Sequence, residues 1–210
     1  MGFNRKHLWR FVTVLLGASL AAAEAIPARI TVLVNDSAGV PAAVLRQAEQ
    51  EAARIFRPAG VEVSWMNCGE EWVIEDGACR EVSGANRFVL HIVPTGKTSR
   101  DLVFGVAFLG EDGRGKYCNV FFDRIRDGHR NLGTSTAQLL GTVAAHELGH
   151  LLLGSHSHAR WGIMEPVWKE EALRQAGMGR FLFTAEQGAA MRERIGREGV
   201  TLAGLPMKTR

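Results

Sequence analysis

The stretch "AAHELGHLLLGSHSHARWGIMEP", Ala144 to Pro166, limits what this chain can be more than any other. His146 and His150 are four residues apart. On a helix that puts both imidazoles on one face, one turn from each other, where they can share a metal ion. Glu147 adjoins the first histidine. It points to the side, so it can meet a metal-bound water without ligating the metal. Zinc suits imidazole ligands and lowers the pKa of bound water to about 7. A carboxylate beside that water can take its proton and later pass it to a leaving amine.

The surrounding residues place this pattern inside a helix. "STAQLLGTVAAHELGHLLLG" has a capping box at Ser135 and Gln138. Leu139, Leu140, Val143, Leu151 and Leu152 form its apolar faces, and Gly154 forms its C-terminal stop. Five strand signals precede it, in "RITVLVND", "VEVSWMN", "RFVLHIVP", "LVFGVAFLG" and "YCNVFFDRI". The fourth is weakened by Gly105 and reads as an edge strand over Phe104 to Leu109, which could pair with an extended peptide. "PAAVLRQAEQEAARIF" is an amphipathic helix with Pro41 in its first turn, and "TAEQGAAMRERIG" is a last helix capped at Thr184. The predicted order is strand, helix, four strands, helix, irregular segment, helix. An α/β (α+β) domain with a mixed, twisted five-stranded sheet is expected.

Residues 1–25 read as an address. Arg5, Lys6 and Arg10 precede an apolar run from Phe11 to Ala23, and Ala23-Glu24-Ala25 fits a signal peptidase site. The run is shorter than the ~20 apolar residues of a spanning helix. A cleaved secretory signal is therefore expected, leaving residues 26–210 as one domain, extracellular or periplasmic and off the membrane. Cleavage removes three basic residues and one acidic, so the formal charge of +3 falls to +1. Nothing in that balance calls for nucleic acid, and a monomer is expected. Export suggests an oxidising compartment. Cys68 and Cys79 bracket "GEEWVIEDGA" and can close it as a disulfide worth roughly 3 kcal/mol in the loop-entropy model. Cys118, in an apolar run, reads as a buried free thiol.

Catalytic zinc usually takes three protein ligands and a water. At this point the chain resembles the metzincin metalloendopeptidases, whose signature is H-E-x-x-H-x-x-G-x-x-H followed by a Met-turn. His146, Glu147 and His150 match it, and "GIM" at Gly162 to Met164 looks like the Met-turn. The resemblance implies one catalytic Zn2+, a third histidine ligand, Glu147 as general base, Met164 as an apolar floor, and a peptide or protein substrate. One position departs. Leu153 stands where the signature has glycine, and the glycine follows at Gly154. Ungapped counting makes His156 the third ligand. The stretch also resembles secreted bacterial metzincin-like proteins with H-E-[LI]-G-H-L-L-L-G-x-x-x-H and G-[IV]-M, in which that histidine falls on His158. A helix that runs one residue further needs a longer return, which also favours His158. A third closure, through Glu170, has thermolysin-like spacing without its context. The alternative function is a secreted zinc-binding or interaction protein on the same scaffold, without turnover, for which Glu147 would not be needed.

The remaining candidates read as structural. His91 lies in a strand and His129 in a polar loop. Trp161 and Trp168 flank the Met-turn and can line a pocket or the core. Met178 is loop or core filler, and Asp123 and Arg124 close the fifth strand.

Overall fold

The computed structural model describes residues 28–68, 79, 86–95, 103–155 and 157–203. The proposed signal, residues 1–25, and His156 lie outside the described residues, as do the side chains of His129 and Glu170. Among the described residues no helix is long and apolar enough to cross a membrane.

Five strands form one sheet: β1 (Ala28–Asp36), β2 (Val61–Asn67), β3 (Arg87–Val93), β4 (Gly105–Phe108) and β5 (Tyr117–Phe121), in the order β2-β1-β3-β5-β4. The first four in that order run parallel, and β4 is an antiparallel edge strand on β5. Alternation fixes the facing. Ile30, Val32 and Val34 of β1, with Phe88, Leu90 and Ile92 of β3, enter one hydrophobic core with Cys118 and Val120 of β5. That core is closed by α1 (Ala42–Phe56) and by α3 (Thr136–Leu153). A capping box joins Ser135 and Gln138 at the start of α3. Thirteen of its 18 residues are buried, so α3 is held by packing on nearly every side. Gly154 ends it with φ of +83°, and its N–H donates to the His150 carbonyl.

Two helices go beyond the sequence reading. α2 (Phe122–Leu132) begins where "YCNVFFDRI" was read as continuous strand. Phe122 and Ile125 are buried at helical spacing, and Asp123 and Arg124 fall in its first turn. The aromatic, β-branched run suggests strand locally, but β5 stops at Phe121. α4 (Glu170–Gly177) occupies the segment read as irregular; among its described side chains the buried ones are the small Ala172 and Ala176. Met178 caps α4 and is half exposed, so it fills no core. The last helix, α5 (Ala185–Ala203), continues past Gly196, where the sequence reading ended it. Ion pairs of Glu198 with Arg194 and Lys116 support the extension. At its start Thr184 and Gln187 bond reciprocally.

Cys68 and Cys79 are joined, with their Cα atoms 5.8 Å apart, and Cys118 is free and fully buried. His91 bonds to Ser37 Oγ at 2.8 Å, a structural role.

The packing of α1 on α3 depends on Gly141. A Cβ there would lie 2.4 Å from the Ala48 carbonyl oxygen and 2.8 Å from Glu51 Cβ. Alanine would gain about 1 kcal/mol in helix propensity, yet it must push α1 back, an overpacking cost of about 1–3 kcal/mol. Gly141→Ala should therefore lower the urea midpoint with an unchanged m-value. A raised midpoint would contradict the close approach.

Candidate metal centre

Three imidazoles converge at the C-terminal half of α3. The His146 and His150 Nε2 atoms are 3.1 Å apart, and His158 joins them so that one ligand nitrogen from each lies within 4.8 Å of the others. The His158 ring stands 4.7 Å from the His150 ring and 5.8 Å from the His146 ring. Two nitrogens on one tetrahedral zinc, each at about 2.0–2.1 Å, would be about 3.3 Å apart.

Hydrogen bonding settles how His146 is protonated. Its Nδ1 lies 2.6 Å from the Ile163 carbonyl, which can only accept. Nδ1 therefore carries the hydrogen, and Nε2 turns a lone pair toward the cluster. His150 Nδ1 is 2.6 Å from Ser157 Oγ, and a hydroxyl can donate or accept. When Ser157 donates, His150 Nε2–H can donate to His146 Nε2. When Ser157 accepts, both Nε2 lone pairs face each other, an arrangement that needs a cation between them. The donor set thus fits zinc: neutral imidazoles whose outer nitrogens are held by a carbonyl and a hydroxyl.

Burial keeps the site uncharged without metal. Desolvation pushes His146 down to about 4 and His150 to about 3, and neighbouring histidines add to both shifts. His158 is lowered in the same sense by its partial burial. Glu147 is 6% exposed, and burial pushes its carboxyl up to about 8.

The loop after α3 forms the floor. Gly162 has φ of +82°, and a Cβ there would lie 2.6 Å from the Leu182 carbonyl oxygen, which accepts from the Ile163 N–H. Glu165 N–H closes the turn onto the Gly162 carbonyl, and Ala159 N–H donates to the Met164 carbonyl. His158 is thereby tied to the turn through its neighbour. Met164 is fully buried, and its Sδ would be 2.7 Å from a Cβ at Gly149. The glycine inside "HELGH" is what lets Met164 and Phe183 press against the helix.

A cleft of about 570 Å³ is lined by the three histidines, by β4 and by residues 165–168. Glu147 sits beneath the start of β4: a Cβ at Gly105 would come within 2.7 Å of both Glu147 Oε1 and the Asn119 carbonyl oxygen. Gly105, which weakened the strand signal, is thus the residue that lets the strand cross the carboxylate. Trp168 forms part of the wall, stacked 6.3 Å from Phe104 and edge-on to His146 at 5.2 Å. Trp161 does not line the cleft and is 66% exposed. Ser157 is the contributor that sequence reasoning missed, since a lone serine among histidines carries no motif signal.

No family model matches the sequence, and no curated protein does. Among solved structures, the chain is similar to a zinc-dependent peptidase from Methanocorpusculum labreanum, with 15% identity and a TM-score of 0.51 over 77% of this chain and 99% of that one. It is also similar to archaemetzincin from Methanopyrus kandleri, with 15% identity and a TM-score of 0.50 over 81% and 97% of the two chains. At that identity the likeness is one of fold.

Two expectations follow for the metal-free protein. Below pH 6.5 the unfolded chain protonates histidines that the fold keeps neutral down to about 4 and about 3, so their contribution to stability is lost as pH falls. Glu147 acts oppositely. Between 4.5 and about 8 the fold keeps it protonated while the unfolded chain ionises, so its contribution is lost as pH rises. The site's contribution should peak near pH 6.5, and Glu147→Gln should flatten the wild-type decline between pH 6.5 and 8 in urea titrations. An equal decline in the variant would assign it to another group. Separately, Ser157→Ala should weaken zinc binding by roughly tenfold in chelator competition, with Ser157→Thr retaining most of it. Equal affinities in all three proteins would remove Ser157 from the site.

Proposed function

We propose that this chain is a secreted zinc metalloendopeptidase of metzincin type, with residues 1–25 as its signal and residues 26–210 as a monomeric catalytic domain. One observation carries the reading: His146, His150 and His158 converge beside Glu147 in a cleft bordered by the edge strand of the sheet. The names of the two similar solved structures, a zinc-dependent peptidase and an archaemetzincin, point the same way. So does the match of His146, Glu147 and His150 to the metzincin signature, with Met164 in the Met-turn position. Secretion rests on the basic, apolar and small-residue pattern of the first 25 residues.

His146, His150 and His158 would hold the ion through their inner nitrogens. Zinc held there supplies a Lewis acid and a water with pKa near 7. The chain's own residues do the rest. The β4 edge offers backbone groups to an extended peptide, which would lie along the cleft. Glu147 lines the same cleft, beneath the first residue of that strand. It accepts the proton of the attacking water and returns it to the leaving amine.

Zinc content and cleavage of a casein substrate, with and without chelator, test this reading. The wild type should carry about one zinc per chain, and His146→Ala, His150→Ala or His158→Ala should lose most of it. Glu147→Gln should keep zinc while cleavage falls by on the order of 10² or more. Zinc without cleavage by the wild type would leave a zinc-binding protein. Retained zinc in His158→Ala would move the third ligand to His156 or Glu170.

A further inference from the structure

The cleft has a charge pattern that the metal site does not explain. Among the described residues, its walls include two carboxylic acids and no lysine or arginine. One of the two is Glu147, buried beneath β4. The other is Glu165, which follows Met164 and is partly exposed on the cleft wall. Among the described residues no hydrogen bond or ion pair holds the Glu165 side chain, whereas Glu51, Glu62, Glu171, Glu193 and Glu198 have arginine or lysine partners. Glu165 does not belong to the cluster of metal-ligating atoms either. Its backbone is fixed, because its N–H closes the turn on Gly162 and Pro166 follows. Beside the histidines and serines, the wall has an apolar part, with Phe104, Val106, Val167 and Trp168. A long side chain with an apolar stem and a cationic end matches both parts: the stem packs on the aromatic wall and the charge meets the carboxylate.

We propose that Glu165 makes this cleft selective for peptides that carry lysine or arginine close to the bond to be cut. This rests on the metallopeptidase reading for the cutting, though not for the recognition. A partly exposed ion pair of this kind is worth a modest factor, about fivefold, and weakens as salt rises.

The test has two arms. In the first, the zinc-loaded wild type, Glu165→Gln and Glu165→Lys cleave three sets of matched peptides in which one position near the cut is Lys, Gln or Glu. The wild-type ratio of kcat/KM for Lys over Gln peptides should be about five at low salt and shrink at high salt. It should fall to about one in Glu165→Gln, and Glu165→Lys should favour the Glu peptides. In the second, the same peptides bind zinc-loaded Glu147→Gln with and without Glu165→Gln, measured by calorimetry. If no protein cleaves any peptide but the Lys preference appears in binding and disappears with Glu165→Gln, the recognition stands and the peptidase reading fails. Equal treatment of the three peptides in both arms, or a Lys preference that survives Glu165→Gln, overturns the proposal.

Discussion

The hydrogen bond from His146 Nδ1 to the Ile163 carbonyl is the contact on which the site depends. It connects the buried helix α3 to the turn that carries Met164, and it fixes the tautomer of His146 in the same stroke. Without it, Nε2 could take the hydrogen and the inner lone pair would be lost. Ile163 is itself pinned, since its N–H donates to Leu182, just before the last helix. A continuous chain of backbone bonds thus joins the C-terminal third of the molecule to the orientation of one imidazole. A buried imidazole with a satisfied outer nitrogen has little freedom to turn, which is what a metal ligand requires.

Close approach is the second constraint, and glycine makes it possible at two points on the helix's surroundings. At Gly149 the helix lets the Met164 thioether and the Phe183 ring come against its backbone. At Gly105 the edge strand passes over the Glu147 carboxyl with no room for a methyl group. The two contacts lie on different sides of the same turn of α3. One sets the floor below the histidines and the other the roof above the glutamate. The strand's poor intrinsic propensity at Gly105 is the cost of that crossing.

These same features separate what could be read from the sequence and what could not. The five strands and three longer helices were legible because each carries its period across a full element, with caps at Ser135 and Thr184. His146, Glu147 and His150 were legible because their spacing has one helical meaning. α2 was hidden by Phe121 and Phe122, which favour strand locally but divide between two elements. α4 was hidden because its buried positions include alanines, whose apolar signal is slight. The role of Ser157 depends on where a loop returns, and no local pattern encodes that. The shifted glycine leaves two return paths open in the sequence, to His156 or to His158; the ring contacts of His158 with His146 and His150 are a matter of tertiary geometry.

Burial explains how the site can be both stable without metal and ready for it. Three neutral imidazoles and a protonated Glu147 present no net charge to the interior, so the fold does not bury an unpaired ion. Placing a divalent cation among the imidazoles inverts the local preference, because an adjacent positive charge favours the carboxylate over the acid. The carboxyl that burial holds at about 8 would then ionise at neutral pH. A Glu147 set in open water would be ionised in either state and would carry no such coupling. The depth of Glu147 under β4 therefore couples its protonation to any cation held by the three imidazoles.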